Sequence, residues 1–97
     1  MSIDAHSSRR VHLVISGRVQ GVFFRARTKE QADLLGITGW VRNLDTGQVE
    51  VVAESESNAI DRFVDWCRQG PRLASVSRVE IADEPPEGNF SSFSIRY

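Results

Sequence analysis

Hydrophobic positions along this chain repeat with two different periods, and the order in which the periods alternate outlines a fold. Val11, Leu13 and Ile15 alternate with His12, Val14 and Ser16, the pattern of a strand with one face on a core, and Gly17 is expected to stop it. From about residue 23 to residue 35 the spacing becomes helical: Phe24, Thr28, Ala32 and Leu35 share one face while Lys29, Glu30 and Asp33 fall elsewhere. Gly36 is suited to end that helix. Residues 37–42 and 48–54 read as two strands, the second with Val49, Val51 and Ala53 facing one way. Leu44-Asp45-Thr46-Gly47 between them has hairpin chemistry, so the two run antiparallel. A second helix is expected from Ser55 or Ser57, either of which could cap it, with a stripe of Ile60, Phe63, Val64 and Cys67 that ends at Gly70-Pro71. Residues 76–82 form a fourth strand. Past the turn-rich residues 83–89, the alternation of Phe93, Ile95 and Tyr97 gives a short terminal one.

The order β, α, β, β, α, β with a short final β is the split β-α-β plan of ferredoxin-like folds. The fold class expected is therefore an α+β sandwich, with two helices packed on one face of a mainly antiparallel sheet. A chain of 97 residues with 40% hydrophobic content supports one such two-layer core. We expect a flexible N-terminal tail over residues 1–10, one domain over residues 11–97, and no further domain.

A formal net charge of -1 provides no global attraction to nucleic acid or to an anionic membrane, so anion binding has to come from local arrangement. Residues 5–29 contain no Asp or Glu yet hold Arg9, Arg10, Arg18, Arg25, Arg27 and Lys29, whereas acids gather at Asp83, Glu84 and Glu87. The first third of the chain is the expected anion-binding part. Cys67 is the only cysteine, which rules out an intrachain disulfide and suits a reducing compartment. The first ten residues lack the apolar run of a signal peptide, and no stretch approaches the ~20 apolar residues of a membrane span. A cytoplasmic monomer with neither nucleic-acid nor membrane partner is expected.

The informative stretch joins the first strand to the first helix: Gly17-Arg18-Val19-Gln20-Gly21-Val22-Phe23-Phe24-Arg25. Two glycines four apart let the backbone take positive φ and turn its amides inward, and the helix start adds unpaired N–H groups and the positive end of a dipole. Such a concavity fits a phosphate. Arg25 adds a planar fork able to donate two hydrogen bonds to neighbouring phosphate oxygens. Spacing alone would favour an ordinary glycine-bearing loop followed by a solvated arginine. The stretch has neither a Gly-Lys-Ser/Thr ending nor a Gly-x-Gly-x-x-Gly pattern, so it is not a familiar nucleotide loop.

With the preceding Ile15-Ser16, this run resembles the signature of the acylphosphatase family at every fixed position. About fourteen residues later a second motif of that family follows as Gly39-Trp40-Val41-Arg42-Asn43, with Gly47 and Val49 at the family's spacing. The resemblance extends from Val11 to Tyr97 and includes the ending Phe93-Ser94-Ile95-Arg96-Tyr97. It departs at Ser55, where the family usually has a glycine after the third strand; a serine there is expected to cap the next helix.

The resemblance implies a ferredoxin-like fold and hydrolysis of acyl phosphates. Carried onto matching positions, it makes Arg25 the phosphate-binding arginine, Asn43 the residue that orients the attacking water, and Gly17, Arg18, Val19, Gln20, Gly21, Val22, Phe23 and Phe24 the phosphate-binding loop. It implies a small acyl phosphate as substrate, inorganic phosphate or sulfate as competing anion, and no cofactor or metal. The two histidines, His6 and His12, have no cysteine or carboxylate cluster at ligand spacing. Chemistry agrees with so spare a site, because an acyl phosphate expels a carboxylate whose conjugate acid has a pKa of about 4 and needs no general acid.

Other residues carry weaker expectations. Trp40 and the Phe23-Phe24 pair read as core and loop support, Arg18, Arg27 and Arg42 as solvated surface able to draw in an anion, and Tyr97 as a residue that could bring the chain terminus to the site. Two other functions compete: a non-catalytic or carbamoyl phosphate-handling domain, of the kind fused to larger maturation enzymes, and an RNA-binding module with bases stacked on the sheet. The neighbouring positions of Phe23 and Phe24 and the lack of net basic charge weigh against the RNA module.

Overall fold

Residues 8–97 are described by a computed structural model. Along them run β1 (Ser8–Arg18), α1 (Phe24–Leu35), β2 (Thr38–Asn43), β3 (Val49–Glu56), α2 (Ser57–Gln69), β4 (Ser75–Glu84) and β5 (Phe93–Arg96). The strands form one sheet in the order β4-β1-β3-β2-β5. β1 is antiparallel to both β3 and β4, β2 is antiparallel to β3, and β5 runs parallel to β2 at the edge. This is the ferredoxin-like α+β architecture with an added fifth strand.

The alternating pattern of each strand decides which face is covered. Val11, Leu13, Ile15, Val41, Val49, Val51 and Ala53 are fully buried beneath Phe24, Thr28 and Ala32 of α1 and Ile60, Phe63, Val64 and Cys67 of α2. Each large side chain removed from water here contributes about 1.5–3 kcal/mol. Ring contacts tie the layers together, Phe24 to Trp66 between the helices and Phe63 to Phe93 between α2 and β5. Lys29 Nζ of α1 also donates to the Phe93 carbonyl, 3.1 Å away. Buried Phe93 thus anchors β5 against β2, which carries the end of the chain to the same sheet end as Asn43.

The structure departs from the sequence reading at several points. Gly17 does not stop β1 but makes a bulge in it, where the register against β4 slips between Ser16 and Gly17. Its φ is +125°, and a Cβ there would collide with the Ser75 carbonyl oxygen. The strand also begins earlier than expected, so Ser8, Arg9 and Arg10 are not tail. Arg9 pairs with Asp61 and Asp83, and Arg10 with Glu54 and Glu84, which extends β1 and β4 together. The rest of the expected tail, residues 1–7 with His6, lies outside the described residues.

Neither serine caps α2. Ser57 is its first helical residue, preceded by Glu56, whose side chain makes no capping hydrogen bond. Ser55 is still paired in β3, and its hydroxyl donates to the Gly36 carbonyl at 3.2 Å, linking β3 to the end of α1. Trp40 is not core: it lies on the uncovered face between its buried neighbours Gly39 and Val41, flanked by the guanidinium groups of Arg42 and Arg96. No helix among the described residues is long and apolar enough to cross a membrane.

Candidate active site

The loop from β1 to α1 is held from below by two valines. Val19 and Val22 are buried in the core, which leaves Gln20, Gly21 and Phe23 at the surface above them. Gly21 has φ +73° with open space where a Cβ would point, so glycine is favoured there for its backbone angle rather than for room. Phe23 is the only non-glycine with positive φ among the described residues, at φ 64° and ψ 23°. Such a conformation costs about 1–3 kcal/mol and persists only where its surroundings impose it. Phe23 also precedes α1 without any side-chain cap, and the first turn of α1 carries no acidic residue. The first N–H groups of α1 are therefore not neutralised by a side chain, which is the arrangement that receives an anion.

The residues of this helix start line a pocket of about 260 Å³. Of the residues the sequence singles out, Val19, Gln20, Gly21, Phe23, Phe24, Arg25 and Asn43 line it, and Ala26, Ile95 and Tyr97 complete the wall. Gly17, Arg18 and Val22 do not reach it. Gly17 and Arg18 are spent on pairing with β4, and Val22 on the core and on a neighbouring groove with Pro71 and Leu73.

Charge in the pocket comes down to Arg25. Ion pairs engage Arg9, Arg10, Arg27, Lys29 and Arg42 with nearby carboxylates. Arg25 makes no ion pair among the described residues; its guanidinium carbon lies 4.8 Å from the centroid of the Tyr97 ring. A cation held by a π face keeps its five donors free for an incoming anion.

Across the pocket, Asn43 is the last residue of β2. Its Oδ1 is the one buried side-chain polar atom without a hydrogen-bond partner among the described residues. Leaving a buried acceptor unpaired costs about 1–3 kcal/mol, which marks this oxygen as able to take a donor.

Asn43 is followed by a hairpin in which Leu44 N–H bonds to the Gln48 carbonyl and Gly47 N–H to the Leu44 carbonyl. Gln20 reaches across from the loop between β1 and α1 and donates from Nε2 to both of those carbonyls, at 2.8 and 2.9 Å. Only its backbone N–H is left to face an anion. The sequence indicates Gln20 as a loop residue but not this bond to the hairpin.

Other reactive side chains are engaged elsewhere. His12 pairs with Glu50 at 2.7 Å on the uncovered sheet face, and Glu50 also accepts from Arg42. Burial disfavours the Glu50 charge, yet the bonds from His12 and Arg42 outweigh it and hold its carboxyl below the usual range. Burial pushes the Cys67 thiol up, away from reactivity. Among the described residues no three His, Cys, Asp or Glu side chains gather as a metal site would need.

Comparison with known proteins resolves what this geometry belongs to. The acylphosphatase family profile matches residues 11–95, nearly the whole described chain. The chain belongs to the acylphosphatase family. It is therefore grouped with hydrolases. It is 50% identical to an acylphosphatase of Rubrobacter xylanophilus over 96% of its own length and 84% of that protein. Its fold superposes on the structure of an acylphosphatase from Coxiella burnetii with a TM-score of 0.87, at 40% identity over 92% of this chain and 93% of that one. It also superposes on T. kodakarensis HypF with a TM-score of 0.80 and 29% identity, over 92% of this chain but 12% of that chain. Within this acylphosphatase fold, Ala26, Ile95 and Tyr97 are the wall residues that the two sequence motifs do not include, and the last two come from the chain's final strand and end. Their alternation marks a strand, but its parallel place beside β2 becomes visible only in three dimensions.

Proposed function

We propose that the chain hydrolyses acyl phosphates to a carboxylate and inorganic phosphate, by in-line attack of a water aimed by Asn43 on a phosphate held by Arg25 and the loop amides. The observation that carries this reading is that an arginine without an ion pair, Arg25, and Asn43, whose buried Oδ1 has no hydrogen-bond partner, line the same pocket. Charge in phosphoryl transfer spreads over the equatorial oxygens, where Arg25 and the α1 amides donate, so stabilisation and positioning supply most of the catalysis. A carboxamide is no base, but its oxygen accepts a hydrogen bond from water and fixes the lone pair that attacks phosphorus. The water oxygen bonds to phosphorus, the bond from phosphorus to the acyl oxygen breaks, and the carboxylate leaves with the electron pair. The protons of the water remain with the phosphate product.

Inorganic phosphate and sulfate compete in this reading, because the amides that receive the substrate also receive a bare tetrahedral anion. The free thiol of Cys67 suits a reducing cytoplasm, and the site is complete within one chain, so a monomer suffices. The test is phosphate release from benzoyl phosphate by the purified protein in the presence of a metal chelator. Steady release supports the reading. No release, or release abolished by the chelator and restored by a divalent ion, overturns it.

A further inference from the structure

We infer that Gln20 is a positioning residue that sets the distance between the phosphate cradle and the water-orienting Asn43; the inference rests on the function proposed above. The Gln20 carboxamide uses both of its hydrogens on one target. Its Nε2 donates to the Leu44 and Gln48 carbonyls, which are the two carbonyls that close the hairpin directly after Asn43. Each carbonyl then holds two hydrogen bonds, one from within the hairpin and one from Gln20, so the side chain completes the hairpin rather than resting against it.

Gln20 is itself part of the loop that lines the pocket, with buried Val19 on one side and Gly21 on the other. The loop and the hairpin are 24 residues apart in sequence, yet one short side chain joins them at fixed length. Asn43 Oδ1 has no hydrogen bond of its own to hold it, so its position depends on the backbone that carries it. Sliding the hairpin against the loop would move the water relative to phosphorus. A misplacement of about 1 Å can cost about a hundredfold in rate.

A second bond keeps the hairpin folded without Gln20. The Gln48 side chain donates from Nε2 to Ser16 Oγ at 2.9 Å and accepts from Thr46 Oγ1 at 2.8 Å. Cutting the Gln20 bonds should therefore loosen placement while the sheet stays intact.

The test is Gln20→Met, which keeps length and neutrality but donates nothing, made alone and combined with Asn43→Ala. In the otherwise wild-type chain, kcat on benzoyl phosphate should fall about ten- to a hundredfold, with KM and the dissociation constant of inorganic phosphate within about twofold. In the Asn43→Ala background the same change should cost less than about twofold more, because its effect passes through Asn43.

Unchanged kcat in Gln20→Met, equal losses in both backgrounds, or a loss of phosphate binding in step with kcat would each overturn the inference. Near-normal turnover in Asn43→Ala would overturn the proposed function as well; a collapse there beside an unaffected Gln20→Met would overturn this inference alone. Should Gln20→Met fail to fold, the wild-type protein still decides. Inorganic phosphate bound to the loop should slow amide exchange at Leu44 and Gly47, and no slowing would count against Gln20 as the link.

Discussion

The Arg25 guanidinium sits over the ring of Tyr97, the last residue of the chain, with 4.8 Å between its central carbon and the ring centroid. Tyr97 is 97% exposed, so its ring adds little to the core, and its ring contact is the one its face makes with Arg25. A cation–π contact at an exposed site contributes about 0.5–1 kcal/mol. Tyr97→Leu should therefore weaken phosphate binding and lower kcat/KM by about two- to fivefold while leaving the melting temperature unchanged. Tyr97→Trp should retain wild-type values. Titration with inorganic phosphate and steady-state kinetics on the two variants check this, and equal behaviour of Leu and Trp would remove the ring from the account.

The two glycines of the loop motif should fail for different reasons. Gly17→Ala places a Cβ against the Ser75 backbone at the bulged end of the β1–β4 pair, and should lower stability by about 2 kcal/mol or more. Gly21→Ala meets only open space and bears the left-handed backbone alone, at about 1–2 kcal/mol. Urea denaturation of both variants reads the difference as a larger drop in midpoint for Gly17→Ala.

Glu50 gives the fold a pH dependence on the acid side. Burial opposes its charge, but His12 and Arg42 bind it and hold its folded pKa below the ordinary 4.5. Its contribution is then complete above about pH 4.5 and is lost as pH falls through the lowered folded value, where the unfolded chain already binds the proton. Glu50→Gln should cost about 1–3 kcal/mol at neutral pH, a difference that narrows below pH 4.5. Unfolding free energies of both proteins between pH 3 and 7 test it, and a gap that stays constant with pH would contradict it.

Much of this molecule was legible because its core obeys simple periods. Of the residues assigned to the covered faces, Val11, Leu13, Ile15, Ile60 and Phe63 are fully buried, whereas Leu35 and Ile95 are partly buried at the edge of the core. The loop and Asn43 could be found because their spacing follows a family motif, whereas neither would have stood out by chemistry alone. The misreadings share a cause. Gly17, Ser55 and Trp40 were read from local propensity, and each is governed by a partner distant in sequence: the Ser75 backbone, the Gly36 carbonyl, and the arginines of β2 and β5. The link from Gln20 to the hairpin was hidden for the same reason, whereas the sequence already offered Tyr97 as a residue near the site.

The central claim is that Arg25 holds the phosphate and Asn43 aims the water, and a paired measurement on two folded variants separates these roles. Arg25→Gln removes charge and fork, so phosphate binding should weaken while turnover falls on the order of a hundredfold or more. Asn43→Ala should leave the dissociation constant of inorganic phosphate close to wild type while turnover collapses, because a cradle without an oriented water still recognises its ligand. The most direct measurement is therefore kcat on benzoyl phosphate beside the phosphate dissociation constant for Asn43→Ala, with folding verified by circular dichroism. Intact binding with lost turnover is the result expected; a folded Asn43→Ala protein that turns over at near wild-type rate would contradict the account.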